Sequence, residues 1–166
     1  MDLINSLEKL TTARSQSQDS LPFLMKIAGI EIGYKRKAEM VEALLRFYQD
    51  EQNLLRYWND LSPFERDLLE DYVRSSGVSD LSEVQAIYEK HNVAWPPHSY
   101  LYRSEFPACL PTASPAKIFF VGRSIPDPLM FWLGRRIPPL PAVYHPVTEA
   151  AAQGADQWLV IGNDFA

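Results

Sequence analysis

Lys35, Arg36 and Lys37 stand in a row just ahead of an apolar repeat formed by Met40, Val41, Leu44, Leu45 and Tyr48. That spacing predicts an amphipathic helix with three cations at its start. Positive charge at a helix N-terminus opposes the macrodipole, so the stability of the helix does not explain the cluster. Contact with a phosphate backbone would explain it, and Lys26, on a short apolar segment upstream, extends the set. The candidate nucleic-acid-binding residues are therefore Lys26, Lys35, Arg36 and Lys37. Arg123, Arg135 and Arg136 form a secondary basic patch.

No pattern of comparable strength points to catalysis. His91, His98 and His145 lie far apart, without the His or Cys spacing that builds a zinc site. The chain has no phosphate-binding glycine loop, nucleophile elbow or dinucleotide fingerprint. Glu70 and Asp71 are adjacent carboxylates, but they fall on the charged outer face of a predicted helix. The single cysteine, Cys109, sits among Pro107, Ala108, Leu110 and Pro111, with no cation nearby to activate it. It cannot form an internal disulfide, which fits a reducing cytoplasm. The expectation is a non-catalytic protein that needs no cofactor and no metal.

Composition narrows the partners. The 166 residues are 46% hydrophobic and 12% aromatic, which excludes general disorder. A formal net charge of −5 argues against nonspecific coating of nucleic acid. The acidity is concentrated: residues 61–94 carry three Lys/Arg against seven Asp/Glu, whereas residues 1–60 carry eight against nine. Residues 95–166 carry five of each. The N-terminus lacks the cationic and apolar regions of a signal peptide. No apolar stretch approaches the ~20 residues of a membrane span, so a soluble, cytoplasmic chain is expected.

The elements that must position the cations follow in order. Leu3, Leu7 and Leu10 share one helical face, with Asp2 or Asn5 as cap, and residues 11–20 read as a polar, flexible link. Ser20 is expected to cap a short helix carrying Leu21, Leu24 and Ile27. After a connector turning on Gly29 and Gly33, the Met40–Tyr48 helix either runs on to Tyr57 or Trp58 or breaks near residues 49–53. Ser62, Pro63 and Glu65 form a capping box ahead of a helix that buries Phe64, Leu68, Leu69, Tyr72 and Val73 and ends at Gly77. Asp80 and Glu83 repeat the pattern for a helix from Leu81 to about His91, with Leu81, Val84, Ile87 and Tyr88 facing inward.

Trp95 opens a proline-rich stretch to Pro115 that is expected to wrap the core through Tyr100, Tyr102 and Phe106. Residues 117–122, Lys-Ile-Phe-Phe-Val-Gly, predict a strand. Residues 126–134 predict a short helix with Leu129, Trp132 and Leu133 inward. A helical turn at 148–153 and a strand at 158–162 close the chain. That last strand suggests either an N-terminal fragment or pairing with the strand at Ile118. Three helices followed by strands is the order of a winged helix, in which the third helix would enter a DNA groove. Here its outer face carries Glu83, Gln85, Glu89 and Lys90, a poor surface for approaching phosphates.

Gly29-Ile30, Gly33 and Lys35-x-Lys37-Ala-Glu-Met-Val-Glu-Ala-Leu44 together resemble the SAP motif, a helix-turn-helix linked to DNA binding. Trp58-x-x-Leu-Ser-Pro-Phe-Glu-Arg-Asp-Leu-Leu-Glu70 is similar to the following helix in bacterial proteins akin to the N-terminal region of XPB-type helicases. Ile118-Phe-Phe-x-Gly-x-x-Ile-Pro-x-x-Leu129, with Pro138 and Pro139, resembles the segment closing the winged-helix part of that group. The resemblance covers residues 21–141. It implies a mainly α chain with a small β component (α+β), a SAP-like helical pair packed on a winged-helix-like unit.

The expected divisions are residues 1–20, an N-terminal helix and linker; 21–58, the SAP-like module; 59–142, the winged-helix-like unit; and 143–166, a tail. The implied function is a DNA-binding accessory module, the N-terminal part of a larger helicase-like or DNA-processing protein. The alternative is a protein–protein docking module of a multi-subunit bacterial system, such as a defence system. It would use the acidic 61–94 face or aromatics around Trp95 and Trp132.

Overall fold

Leucines 3, 7 and 10 all turn inward, and they anchor the first helix, α1 (Leu3–Glu8), to the rest of the chain. The computed structural model describes residues 2–14, 19–31, 33, 36–77, 80–94, 110–111 and 113–138. The described residues are mainly helical, with seven α-helices: α1, α2 (Leu21–Ile27), α3 (Lys37–Gln49), α4 (Glu51–Asn59), α5 (Pro63–Arg74), α6 (Leu81–Lys90) and α7 (Asp127–Gly134). A 3-10 helix, Pro115–Phe119, precedes α7. The only β pairings among the described residues are the isolated bridges Thr11–Ser20 and Val121–Ser124. Residues 95–109 of the proline-rich wrap, Cys109 among them, Lys35, the turn at 148–153 and the strand at 158–162 lie outside the described residues.

Residues 11–20 are not an open link at their ends. Thr11 N donates to Asp19 O (2.9 Å) and Leu21 N donates to Thr11 O (3.0 Å), closing the segment at its base. Ser20 does not cap α2, because its buried hydroxyl donates to Ala13 O at 2.7 Å. The helix starts with Pro22 in its first turn, where the missing N–H has no intrahelical use. It ends in a Schellman motif: Gly29 takes the left-handed φ of +70°, and Ile30 N reaches back to Met25 O at 2.8 Å.

The second apolar repeat is interrupted. Asp50 is extended (φ −86°, ψ 105°), and its carboxylate accepts from Gln52 N at 3.0 Å, so α3 stops and α4 starts anew. The capping box forms as expected. Ser62 Oγ accepts from Glu65 N (3.3 Å), and the Glu65 carboxylate accepts from Ser62 N (2.9 Å). α5 closes through Ser76 and Gly77, both at positive φ. Asp80 caps α6 through Ser82 N at 2.9 Å. Leu81, expected to face inward, is 44% exposed: it shares the stripe of Val84 and Tyr88, which carry the buried face, but it is the first residue of α6, at the end of that stripe.

The segment 117–122 is not a strand. Ile118, Phe119 and Phe120 are fully buried, and the backbone bonds locally, Lys117 N to Ser114 O and Phe120 N to Lys117 O, both at 3.2 Å. A continuous apolar run carries no period that separates a buried strand from any other buried segment, and Pro115 opens a tight turn here. The run forms the hub of the molecule, packed on α2, α4 and α5. Tyr48 donates its hydroxyl to Ile118 O at 2.7 Å, and burial pushes the pKa of that hydroxyl well above the ordinary phenol value. One core joins α1 to α7, from Leu3 to Ile137.

Candidate nucleic-acid interface

Lys26 lies in the last turn of α2, Arg36 occupies the N-cap of α3, and Lys37 is the first residue of α3. All three are exposed. The Schellman turn at Gly29 brings the chain out of α2, and packing of α2 against α3 places both helices on the same hub. The fourth candidate, Lys35, lies outside the described residues.

The cations at the start of α3 are tolerated because Glu39, three residues on, accepts from Arg36 N at 3.1 Å. This is half of a capping box. Arginine has no acceptor with which to complete the other half. The carboxylate at Glu39 satisfies one orphan N–H and places a negative charge at the positive end of the helix dipole. The helix is therefore not held by its cations, and they remain available.

Most other described cations are engaged. Arg46 pairs with Glu42 (2.5 Å), Arg74 with Glu70 (3.2 Å) and Lys90 with Asp67 (2.5 Å). Arg66 lies over Trp58 at 5.0 Å and Arg56 over Tyr57 at 5.2 Å. Among the described residues, the side chains of Lys26, Arg36 and Lys37 form no ion pair and no ring contact.

The secondary patch divides. Arg123 and Arg135 are exposed, with the Arg135 guanidinium 5.9 Å from the Phe131 ring. Arg136 is different: its guanidinium lies 3.6 Å over Trp132 and pairs with Glu51. That hydrogen bond holds the Glu51 carboxyl below its ordinary range. Arg136 thus clamps α7 to α4. Trp132 is correspondingly half-buried, stacked on Phe119 at 5.8 Å, and does not form an exposed aromatic surface.

On the opposite kind of surface, a trough of about 470 Å³ between α5 and α6 is lined by Asp67, Glu70, Asp71 and Glu83 with Arg74 and Lys90. Asp67 is its busiest residue, accepting from Lys90 at 2.5 Å and sharing a hydrogen bond with His91 at 2.7 Å. Partial burial works against ionisation of Asp67, but the hydrogen bonds from Lys90 and His91 outweigh it and lower its pKa. This clasp went unread in the sequence because its partners are 23 and 24 residues apart. No local spacing announces such a pair, and the same holds for Glu51 with Arg136.

Among the described residues no group of three or more His, Cys, Asp or Glu side chains is placed to hold a metal ion, and no helix is long and apolar enough to cross a membrane. Compared with known proteins, the chain matches no family model, no curated protein and no solved structure.

Proposed function

We propose that this chain is a non-catalytic nucleic-acid-binding module that grips the phosphate backbone through Lys26, Arg36 and Lys37, with Lys35 beside them. The observation that carries this reading is the lack of ion pairs at these three side chains among the described residues, while Arg46, Arg74, Lys90 and Arg136 are spent on neighbouring carboxylates. An unpaired, exposed cation can take a phosphate without first giving up a partner. On this reading α2 and α3 act as a SAP-like pair carried on a winged-helix-like unit. The module would guide a larger helicase-like or DNA-processing protein in the cytoplasm.

Binding of this kind is electrostatic, and each phosphate contact contributes about 0.9 to the slope of log affinity against log salt on duplex DNA. A fluorescence titration of a labelled duplex at several salt concentrations tests it. A linear fall in log affinity with log salt is expected, and salt-independent affinity or no binding contradicts the proposal.

The second reading is protein docking. It is favoured by the trough between α5 and α6, whose four carboxylates outnumber its two cations. Such a surface would repel nucleic acid and attract a basic segment of a protein partner.

A further inference from the structure

A groove of about 560 Å³ runs between α1 and α3, and Lys37 forms part of its lining. Its apolar wall is Ile4 from α1 with Val41 and Leu45 from α3. Ile4 is 45% exposed, an unusual degree for a large aliphatic side chain in this molecule. Ala38, Val41 and Leu45 lie at i, i+3 and i+7 of α3, so the wall is a straight stripe about two turns long. Glu8 and Glu42 also line the groove. Glu42 is held by Arg46 at 2.5 Å, while Glu8 makes no ion pair among the described residues. The volume is within the roughly 300–1,000 Å³ of clefts that hold small ligands.

This groove shares Lys37 with the cationic cluster. A duplex offers that cluster phosphates but keeps its base faces stacked inside, so an adjoining apolar groove would add nothing to duplex binding. An unpaired nucleotide offers both parts: a phosphate for the cations, and a flat base with one polar edge for the groove.

We infer that the groove between α1 and α3 seats an unpaired nucleobase whose phosphate is held at Lys37 and Arg36, so that the module prefers single-stranded DNA. This rests on the phosphate-gripping reading above and names the form of nucleic acid that it takes. The groove carries two carboxylates and one cation, so only its Lys37 end suits a phosphate. The carboxylates repel phosphate and confine the backbone to the Lys37 end. The free Glu8 carboxylate can accept from an exocyclic amino group, which cytosine and adenine present and thymine lacks. Thymine's single N–H is flanked by two carbonyl oxygens that a carboxylate repels.

The test compares fluorescence anisotropy titrations of the full chain with labelled oligo-dC, oligo-dT and a duplex of the same length at one salt concentration. Oligo-dC should bind more tightly than oligo-dT, and both more tightly than the duplex. Ile4→Ser should weaken single-strand binding by roughly fivefold, as expected for losing about one aliphatic contact, and leave duplex binding unchanged. Leu45→Ser is the second variant, and the Tm of each confirms folding. Glu8→Gln should narrow the gap between oligo-dC and oligo-dT. The inference is overturned if the duplex binds as tightly as the single strands, or if both serine variants bind single strands like the wild type. It is overturned as well if the chain self-associates and Ile4→Ser abolishes this, because a second protein molecule then covers the groove. Failure of the phosphate reading looks different: none of the three probes binds, or Arg36→Ala/Lys37→Ala binds all three like the wild type.

Discussion

The two charged surfaces of this molecule use their charges in opposite ways. Between α5 and α6 the side chains answer one another: Asp67 holds Lys90 and His91, and Glu70 holds Arg74 at 3.2 Å. At the junction of α2 and α3, Lys26, Arg36 and Lys37 answer nothing among the described residues, and the helix start is secured by Glu39. Charges paired across two helices help to fix how those helices meet. Charges left unpaired contribute little to the fold, and they are the ones a ligand could take without displacing a partner. The difference teaches that density of charge is a poor guide to function, and that commitment of charge is a better one.

The comparison can be broken by substitution, and the largest effect should come from the apolar layer under the paired surface. Leu69 is fully buried on α5, and Leu69→Ala should cost about 2–5 kcal/mol in denaturant unfolding. A neutral result would show that α5 is not seated on the core. Ser62→Ala removes one partner of the capping box and should cost about 1 kcal/mol in the same measurement.

Acid should act selectively on the paired surface. The pKa of Asp67 is lowered in the folded chain. A carboxyl lowered by folding adds stability above its ordinary value, and that stability is lost as pH falls through the folded value. Asp67→Asn should therefore be less stable than the wild type at neutral pH. The two Tm curves should converge as pH drops below the ordinary carboxylate range. Parallel curves down to the acid limb would mean that the clasp contributes nothing. The smallest effect is expected at the other surface: Arg36→Ala/Lys37→Ala should move stability by no more than about 0.5 kcal/mol, the range of exposed sites away from packing.

What could be read in the sequence was what local spacing dictates. The Ser62–Glu65 box, the buried face of α5 and the leucines of α1 follow from periods and caps within a few residues. The strand expected at Ile118 failed because a run buried on every side has no alternation to reveal its backbone form. Leu81 failed because it is the first residue of α6, and its repeat with Val84 and Tyr88 does not reveal where along the helix the covering core ends. The cationic cluster was visible as three letters in a row, but the lack of ion pairs at Arg36 and Lys37 among the described residues was not. Neither was the removal of Arg136 from the second patch, since Glu51 lies 85 residues away.

The most direct test of the account sets the two surfaces against each other in one assay. Log affinity for labelled DNA is measured against log salt for the wild type, for Arg36→Ala/Lys37→Ala and for Arg74→Ala/Lys90→Ala. The account predicts that the first variant loses roughly 1–2 from the salt slope with its Tm unchanged, each phosphate contact contributing about 0.9 on duplex or 0.7 on a single strand. The second should keep the wild-type slope and lower the Tm. Equal slopes for the wild type and Arg36→Ala/Lys37→Ala would contradict it.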